Sequence, residues 1–142
     1  MKLKFNLLNG AEGARHVADI LRNCASITEI DLGYNGLTEH GAFHIAEALR
    51  VNTTATSMNM EGSQLGPEGA RFIAEALMVN SSIATLSLHN SSFGPVGAFF
   101  LAEALQNSGS VTSLDLSSNF VGAEGALGLV LQGTGADTGM SG

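Results

Sequence analysis

Residues 55–82 read ATSMNMEGSQLGPEGARFIAEALMVNSS, and residues 83–110 read IATLSLHNSSFGPVGAFFLAEALQNSGS. The preceding segment, ITEIDLGYNGLTEHGAFHIAEALRVNTT over 27–54, aligns with both, and VTSLDLSSNFVGAEGALGLVLQ over 111–132 begins a fourth copy. The copies start at residues 27, 55, 83 and 111, so the period is 28 residues. A fixed period of this size is typical of a solenoid, whose units bury their apolar faces against one another.

The two ends of the chain depart from the repeat. Residues 10–23, GAEGARHVADILRN, match the helix half of a unit, but MKLKFNLLN before them is a poor strand half. Residues 1–26 are therefore predicted to form a degenerate N-terminal repeat. After Gln132 the glycine-rich sequence GTGADTGMSG predicts that residues 133–142 are disordered. Neither end has an evident cap, which favours a fragment of a longer receptor-like array or a chain that pairs through its ends.

Each unit changes its hydrophobic period midway. The segment LSL at 86–88 alternates apolar and polar residues, which predicts a short strand that can pair in parallel with its copies across helical crossovers. Gly97 is then predicted to open a helix, because residues 98–105 place apolar side chains at i, i+3, i+4 and i+7. The equivalent predicted helix starts are Gly41, Gly69 and Gly125. The predicted core comprises Ile30, Leu32, Ile45, Leu49, Met58, Met60, Ile73, Leu77, Leu86, Leu88, Leu101, Leu105, Leu114 and Leu116.

A polar residue follows each strand at a constant distance. Asn35 and Asn119 lie three residues after the last apolar strand residue, and Ser63 and Ser91 take this place in the middle units. A polar side chain there can bond backbone groups that are exposed where the strand turns away. Serine is shorter, so we expect this ladder to be weaker in the middle than at its ends.

The repeat resembles a known family. The pattern L-x-x-L-x-L-x-x-N, as in VTSLDLSSN over 111–119, and the pattern G-x-x-G-A-x-x-h-A-E-A-L, as in GPEGARFIAEAL over 66–77, resemble leucine-rich repeats of the ribonuclease-inhibitor-like subclass. This unit builds ribonuclease inhibitor, the Ran GTPase-activating protein, tropomodulin-type actin cappers and the sensor arms of immune receptors. The resemblance implies a right-handed α/β horseshoe, with parallel strands on the concave face and helices on the convex face. It implies little about function.

The net charge of −7 is unevenly distributed along the chain. Residues 72–142 contain five carboxylates and no Lys or Arg. Nucleic acids and anionic membranes require clustered cations, so the sequence argues against both as partners. No stretch approaches the roughly 20 apolar residues of a membrane span. All six basic residues lie in the first half of the chain: Lys2, Lys4, Arg15, Arg22, Arg50 and Arg71.

The cysteine count bears on the compartment. Cys24 is the single cysteine, so no internal disulfide can form, and a reducing, cytoplasmic location is the simple interpretation. The N-terminus lacks an apolar run long enough for a signal peptide. We therefore interpret the three Asn-x-Ser/Thr sequons, at Asn52, Asn80 and Asn90, as chance matches.

The concave face is the default binding surface of such a solenoid. Strand geometry places the polar residues between and after the apolar ones on this face. Tyr34 is the best anchor candidate, because interface hot spots favour Tyr, Trp and Arg. The alternative is a solvated sheet face without a partner. The predicted partner-binding residues are Glu29, Asp31, Tyr34, Asn59, Glu61, Ser87, His89 and Asp115.

The convex face offers two further candidate features. Phe72 and Phe100 share one repeat position, with Phe43 and Phe99 in the next column, and we expect them to pack between adjacent helices instead of forming an exposed ridge. His40 and His44 are spaced i, i+4, but no Cys or third His lies nearby, so no metal site is predicted.

The sequence predicts no cofactor and no catalytic site. No Gly-x-Ser-x-Gly elbow or phosphate loop is present, and His89 has no evident nucleophile partner. The first hypothesis is a non-catalytic protein–protein interaction module. The alternatives are a GTPase activator or another enzyme regulator, and a structural fragment. We also predict weak self-association through the C-terminal edge strand at 111–116, which contains no basic residue.

Overall fold

The computed structural model describes residues 10–120 and residue 122. The predictions for residues 1–9, for the helix after Gly125 and for the glycine-rich tail lie outside the described residues. Helices and short strands alternate along the chain. The elements are α1 (Ala11–Asn23), β1 (Glu29–Asp31), α2 (Thr38–Leu49), β2 (Ser57–Asn59), α3 (Gly66–Val79), β3 (Thr85–Ser87), α4 (Gly94–Asn107) and β4 (Ser113–Asp115).

The four strands form one parallel sheet in the order β1-β2-β3-β4. Ile30 pairs with Met58, Met58 with Leu86, and Leu86 with Leu114, so each strand is offset from the next by one repeat. Each strand returns to the sheet through a helix, which is the right-handed crossover of parallel sheets. The result is a right-handed α/β solenoid, with strands on the concave face and helices on the convex face, and this confirms the predicted fold class.

The core lies between the sheet and the helices. All fourteen predicted core residues are at most 6% exposed, so the predicted periods are confirmed. The core also contains Leu37, Leu65 and Phe93, which the sequence analysis left in the polar turn. These three residues occupy one repeat position just before the helices, where their side chains fill the space between strand and helix.

The predicted helix starts are wrong by three residues. Helix α3 begins at Gly66, three residues before the predicted Gly69, and Pro67 occupies its first turn, where a missing N–H costs nothing. Gly69 lies inside the helix and is buried. A Cβ atom at this position would lie 2.9 Å from the Leu65 Cβ and 3.3 Å from the Ala42 Cβ. The glycines at this position therefore let adjacent helices approach closely, and they do not start the helices.

The predicted ladder of polar side chains lies at the carboxyl ends of the strands. Asn119 is 1% exposed, and its Nδ2 atom donates to the carbonyl oxygens of Leu88, Leu116 and Ser117 at 2.7–3.0 Å. Its Oδ1 atom accepts the backbone N–H of Ser91 at 2.6 Å. At the same repeat position, the Ser63 hydroxyl donates to the Glu61 carbonyl oxygen at 3.4 Å. The Ser91 hydroxyl donates to the carbonyl oxygens of Met60 at 3.1 Å and of His89 at 3.3 Å. Each serine therefore makes fewer side-chain bonds than Asn119, and the weaker middle of the ladder stays a prediction.

A second asparagine ladder lies at the opposite end of the strands, and the sequence analysis missed it. The Nδ2 atom of Asn80 donates to the carbonyl oxygens of Leu49 at 2.8 Å and of Asn52 at 3.1 Å, and its Oδ1 atom accepts the N–H groups of Ser82 and Ile83. Asn52 makes the equivalent bond to the Leu21 carbonyl at 2.8 Å. Asn52 and Asn80 are 7% and 6% exposed, so these two sequons hold structural asparagines.

Candidate protein-binding surface

The sheet register brings most of the predicted partner-binding residues together on one face. Asp31, Asn59, Ser87 and Asp115 pair in register along the four strands and form one column of partly exposed polar side chains. Glu29 lies two residues earlier in β1 and is exposed. The remaining three residues, Glu61, His89 and Tyr34, follow the strands and are partly buried.

Hydrogen bonds hold the first part of this column in place. The Asn59 Nδ2 atom donates to the Asp31 Oδ1 atom at 3.1 Å, across neighbouring strands. The same oxygen accepts the N–H of Gly33 at 3.1 Å, and the Asn59 Oδ1 atom accepts the N–H of Glu61 at 2.9 Å. The side chains of Asp31 and Asn59 are therefore held in fixed positions on this face.

Tyr34 does not project freely from the surface. Its backbone has a φ of 56°, and its N–H donates to the Glu61 carbonyl oxygen at 2.8 Å. A Cβ atom at Gly62 would lie 2.5 Å from both the Cδ1 and the Cε1 atoms of the Tyr34 ring. The ring therefore rests directly on the turn of the next repeat, and it can do so only because residue 62 is glycine.

His89, Ser117 and Asp115 form a hydrogen-bonded chain at the other end of the face. The Ser117 Oγ atom lies 2.6 Å from the Asp115 Oδ1 atom and 2.7 Å from the His89 Nδ1 atom. A carboxylate can only accept hydrogen bonds, so the single hydroxyl proton of Ser117 points to Asp115. The hydroxyl oxygen must then accept from His89, and we therefore place the imidazole proton on Nδ1. With the proton on Nδ1, the Nε2 atom of His89 carries a lone pair that can accept a hydrogen bond.

The hydrogen bond between His89 and Ser117 corrects the prediction that His89 has no nucleophile partner. Ser117 was missed because it lies one full repeat after His89 in the sequence. In a serine nucleophile, however, the hydroxyl donates to the imidazole, which acts as the base. Here the imidazole donates to the hydroxyl and the hydroxyl donates to the carboxylate. This direction of the hydrogen bonds is opposite to that of an activated serine.

The described part of the concave face is acidic. Glu29, Asp31, Glu61 and Asp115 bring four carboxylates to the strands and the turns that follow them. The four described arginines lie in helices α1 and α3 or directly after helix α2: Arg15, Arg22, Arg50 and Arg71. Cationic groups of a partner are therefore favoured on this face.

The two phenylalanine columns on the convex face differ from each other. Phe72 and Phe100 are partly buried against the core, as predicted. Phe43 and Phe99 are 43% and 62% exposed, so the prediction that this column forms no exposed ridge is wrong, although the Phe43 ring also contacts that of Phe72 on the next helix. The two columns are adjacent on the helices, and the column of Phe72 and Phe100 is the one that packs against the core.

Two further findings concern metal ions and membranes. Among the described residues, no three His, Cys, Asp or Glu side chains are grouped so that they could hold a metal ion, and this includes His40 and His44. None of the described helices has the length and apolar character needed to cross a membrane.

Comparison with known proteins gives a match to one family and matches to solved structures. A family described as Leucine Rich repeat matches residues 108–130. The structure named leiomodin-1 actin-binding site 2 superposes with a TM-score of 0.79 at 22% sequence identity, over 93% of this chain and 76% of that chain. No curated protein sequence matches. The family match and this superposition support a leucine-rich repeat protein, and the superposition, at this identity, is a likeness of fold.

Proposed function

We propose that the protein is a non-catalytic interaction module that binds a protein partner on its concave face. The observation that carries this proposal is the column of polar side chains in register along the four strands, from Asp31 to Asp115. A rigid sheet that presents such side chains at fixed spacing can recognise a matching surface. The proposed contact residues are Glu29, Asp31, Tyr34, Asn59, Glu61, Ser87, His89 and Asp115.

The chemistry of the face indicates the kind of partner. Four carboxylates favour a protein surface with Lys or Arg side chains, and they disfavour nucleic acids and anionic membranes. Tyr34 offers a ring that is already held in place against Gly62, so little side-chain entropy is lost when it is covered. The Nε2 atom of His89 offers an acceptor for a backbone or side-chain N–H.

Actin is a specific candidate partner. The proposal is supported by the superposition with leiomodin-1 actin-binding site 2, which covers 93% of this chain. Co-sedimentation of the full chain with filamentous actin, and sedimentation velocity with monomeric actin, would test it directly. Binding to neither form would remove actin as a candidate without affecting the broader proposal.

The finer features of the proposal follow from the sequence. The 28-residue period and the motif over 66–77 support the proposal that the repeats belong to the ribonuclease-inhibitor-like subclass. The single Cys24 favours a reducing, cytoplasmic compartment. Regulation of a GTPase or another enzyme is the alternative role, and it would also operate through binding.

The test separates the concave face from the rest of the surface. Proteins captured from a lysate by the full chain would be compared with those captured by the double variant Asp31→Lys, Glu61→Lys. The matched control is Glu47→Lys, Glu103→Lys, which makes the same charge change on the helices. We expect the partner to be lost with the first variant and retained with the second.

Equal loss with both variants would show that net charge, and not the concave face, determines binding. A direct readout is also available. The chain has one Tyr and no Trp, so its intrinsic fluorescence reports on Tyr34. A purified partner that binds on the concave face should change this fluorescence, and no change on saturation would contradict the proposed contact.

A further inference from the structure

A groove on the convex face lies between helices α2 and α3, on the side of the molecule opposite the strands. Its volume is about 320 Å³, which is at the lower end of the range for pockets that bind small ligands. An occupant of this groove would not compete with a partner on the concave face. The groove is lined by Glu39, His40, Phe43, His44, Glu68 and Phe72.

Aromatic rings form much of its lining. The ring centroids of Phe43 and Phe72 are 5.4 Å apart at an interplanar angle of 74°, and the His44 ring lies 5.5 Å from that of Phe43 at 70°. Phe43 is 43% exposed. Rings in this edge-to-face arrangement are held firmly, and a phenyl face attracts a cation electrostatically.

Carboxylates stand on both sides of these rings. Glu39, on α2, is exposed, and its carboxylate makes no hydrogen bond or ion pair with the other described residues. Glu68, on α3, is paired with Arg71 at 2.8 Å. An apolar occupant would cover Glu39 without giving it a partner, which is costly, whereas a cation would satisfy it.

The protein itself shows how this combination recognises a guanidinium group. Glu68 and Phe72 are spaced i, i+4 on α3, and the Arg71 guanidinium carbon lies 4.9 Å from the Phe72 ring centroid while the group bonds Glu68. Glu39 and Phe43 have the same spacing on α2, so they lie on one helix face. This second pair has no arginine of its own among the described residues.

We propose that the α2–α3 groove binds an arginine side chain of a protein partner. The guanidinium group would stack on Phe43 and donate hydrogen bonds to the carboxylate of Glu39. Arginine fits better than lysine, because its planar group is weakly hydrated, stacks on aromatic faces and bonds carboxylates with two parallel donors. This second surface is independent of the proposed concave-face function.

The test is an NMR titration of the full chain with an acetylated and amidated tetra-arginine peptide. We expect backbone amide shifts in residues 38–44 and 66–72. The two comparison peptides are tetra-lysine and tetra-citrulline, which keeps the shape of arginine without its charge. We expect weaker binding of the lysine peptide, and no shifts in these two segments with the citrulline peptide.

Variants locate the site within the groove. Phe43→Leu should weaken binding roughly two- to five-fold, the range expected for an exposed cation–π contact, and Glu39→Gln should also weaken it. The matched control is Phe99→Leu, which removes an exposed ring at the same repeat position outside the groove and should leave the affinity unchanged. Circular dichroism of each variant verifies the fold.

Three results would overturn the proposal. Equal binding of the citrulline or lysine peptide would show that the groove does not select a guanidinium group. Shifts confined to the concave segments 29–34 and 57–61 would assign the peptide to the other face. An unchanged affinity in a correctly folded Phe43→Leu variant would remove the proposed stacking contact. None of these results contradicts the proposed function of the concave face, and the second one would support it.

Discussion

At the scale of single residues, Gly62 determines the position of Tyr34. Two properties of Gly62 are needed at once: its φ of 63° lies in the left-handed region, and the absence of a Cβ atom makes room for the tyrosine ring. Gly94 shares the first property, with the same φ of 63°, but nothing lies within 4 Å of its missing Cβ atom. An alanine at Gly94 would therefore introduce backbone strain alone, whereas an alanine at Gly62 would introduce the same strain and also displace the Tyr34 ring.

We expect Gly62→Ala to lower the free energy of unfolding by more than Gly94→Ala does. Gly94→Ala should cost about 1–2 kcal/mol, because a Cβ atom disfavours a left-handed backbone. Gly62→Ala adds displacement of the Tyr34 ring, so only this variant should change the tyrosine fluorescence. Urea denaturation and emission spectra measure both effects. Equal costs and an unchanged spectrum for Gly62→Ala would show that the ring does not rest on this turn.

Cys24 is a second residue with a specific local effect. The Ser26 hydroxyl lies 3.2 Å from the Cys24 sulfur, and this hydrogen bond, together with backbone bonds to the sulfur, holds the pKa of the thiol below its ordinary value. Because the thiolate is the reactive form, Cys24 should be alkylated at lower pH than an unperturbed cysteine.

We expect Ser26→Ala to raise the pKa of Cys24 toward its ordinary value and to slow alkylation near pH 8. The measurement is the rate of reaction with iodoacetamide as a function of pH, which reports on one site because the chain has a single cysteine. The control is Ser81→Ala, an exposed serine far from Cys24 in the sequence. A pH profile that is unchanged by Ser26→Ala would mean that this hydrogen bond does not stabilise the thiolate.

At the scale of the elements, the asparagines that follow helices α2 and α3 connect these helix ends to the preceding repeat. Asn80 links the end of α3 to the carbonyl groups of Leu49 and Asn52 in the preceding unit, and it also orders the turn that leads to β3. These backbone groups would be buried without partners if the side chain were removed, and an unsatisfied buried group is costly.

Asn80→Ala should lower the free energy of unfolding by about 1–3 kcal/mol, the usual penalty for a buried group left unsatisfied. The matched control is Asn107→Ala, because Asn107 is exposed and bonds only the Glu103 carbonyl of its own helix. We expect its effect to stay within roughly 0.5 kcal/mol. Chemical denaturation measures both. A loss for Asn80→Ala as small as that of the control would show that water satisfies the exposed backbone groups.

The hydrophobic periods were sufficient to predict the strands and the buried helix face, but not the helix starts. From the sequence, either Gly66 or Gly69 could start the helix. Only the close packing of Gly69 against Ala42 shows that Gly69 lies at the contact between helices instead. Phe43 and Phe72 also cannot be distinguished by residue type. Their different exposure depends on the direction of each side chain relative to the next helix, and this is a property of the assembled pair.

At the scale of the whole molecule, the 28-residue period predicts which residues lie side by side. The column from Asp31 to Asp115 follows from the period alone, and the structure places its members in register. Applied to the turns, the same register places Ser117 beside His89. The direction of the hydrogen bond between these two residues depends on a third residue, Asp115, which accepts the Ser117 hydroxyl proton. The repeat pattern therefore could not predict this direction.

The parallel sheet also bears on self-association. In the described part of the chain β4 pairs with β3 alone, so no other described strand covers its second side. The segment 111–116 has no basic residue, and only Asp115 opposes pairing with another copy. We therefore predict weak self-association through this edge, detected by sedimentation velocity as a mass that rises with protein concentration.

Ser113→Lys should reduce this association, because a lysine on an edge strand disfavours pairing with a second strand. The matched control is Ser57→Lys, which places the same charge at the equivalent position of β2, where both neighbouring strands are already paired. The fold should persist in both variants, because both serines lie on the outward face of the sheet. Equal reduction by both variants would assign the association to the charge of the concave face. A monomer at every accessible concentration would end the edge hypothesis.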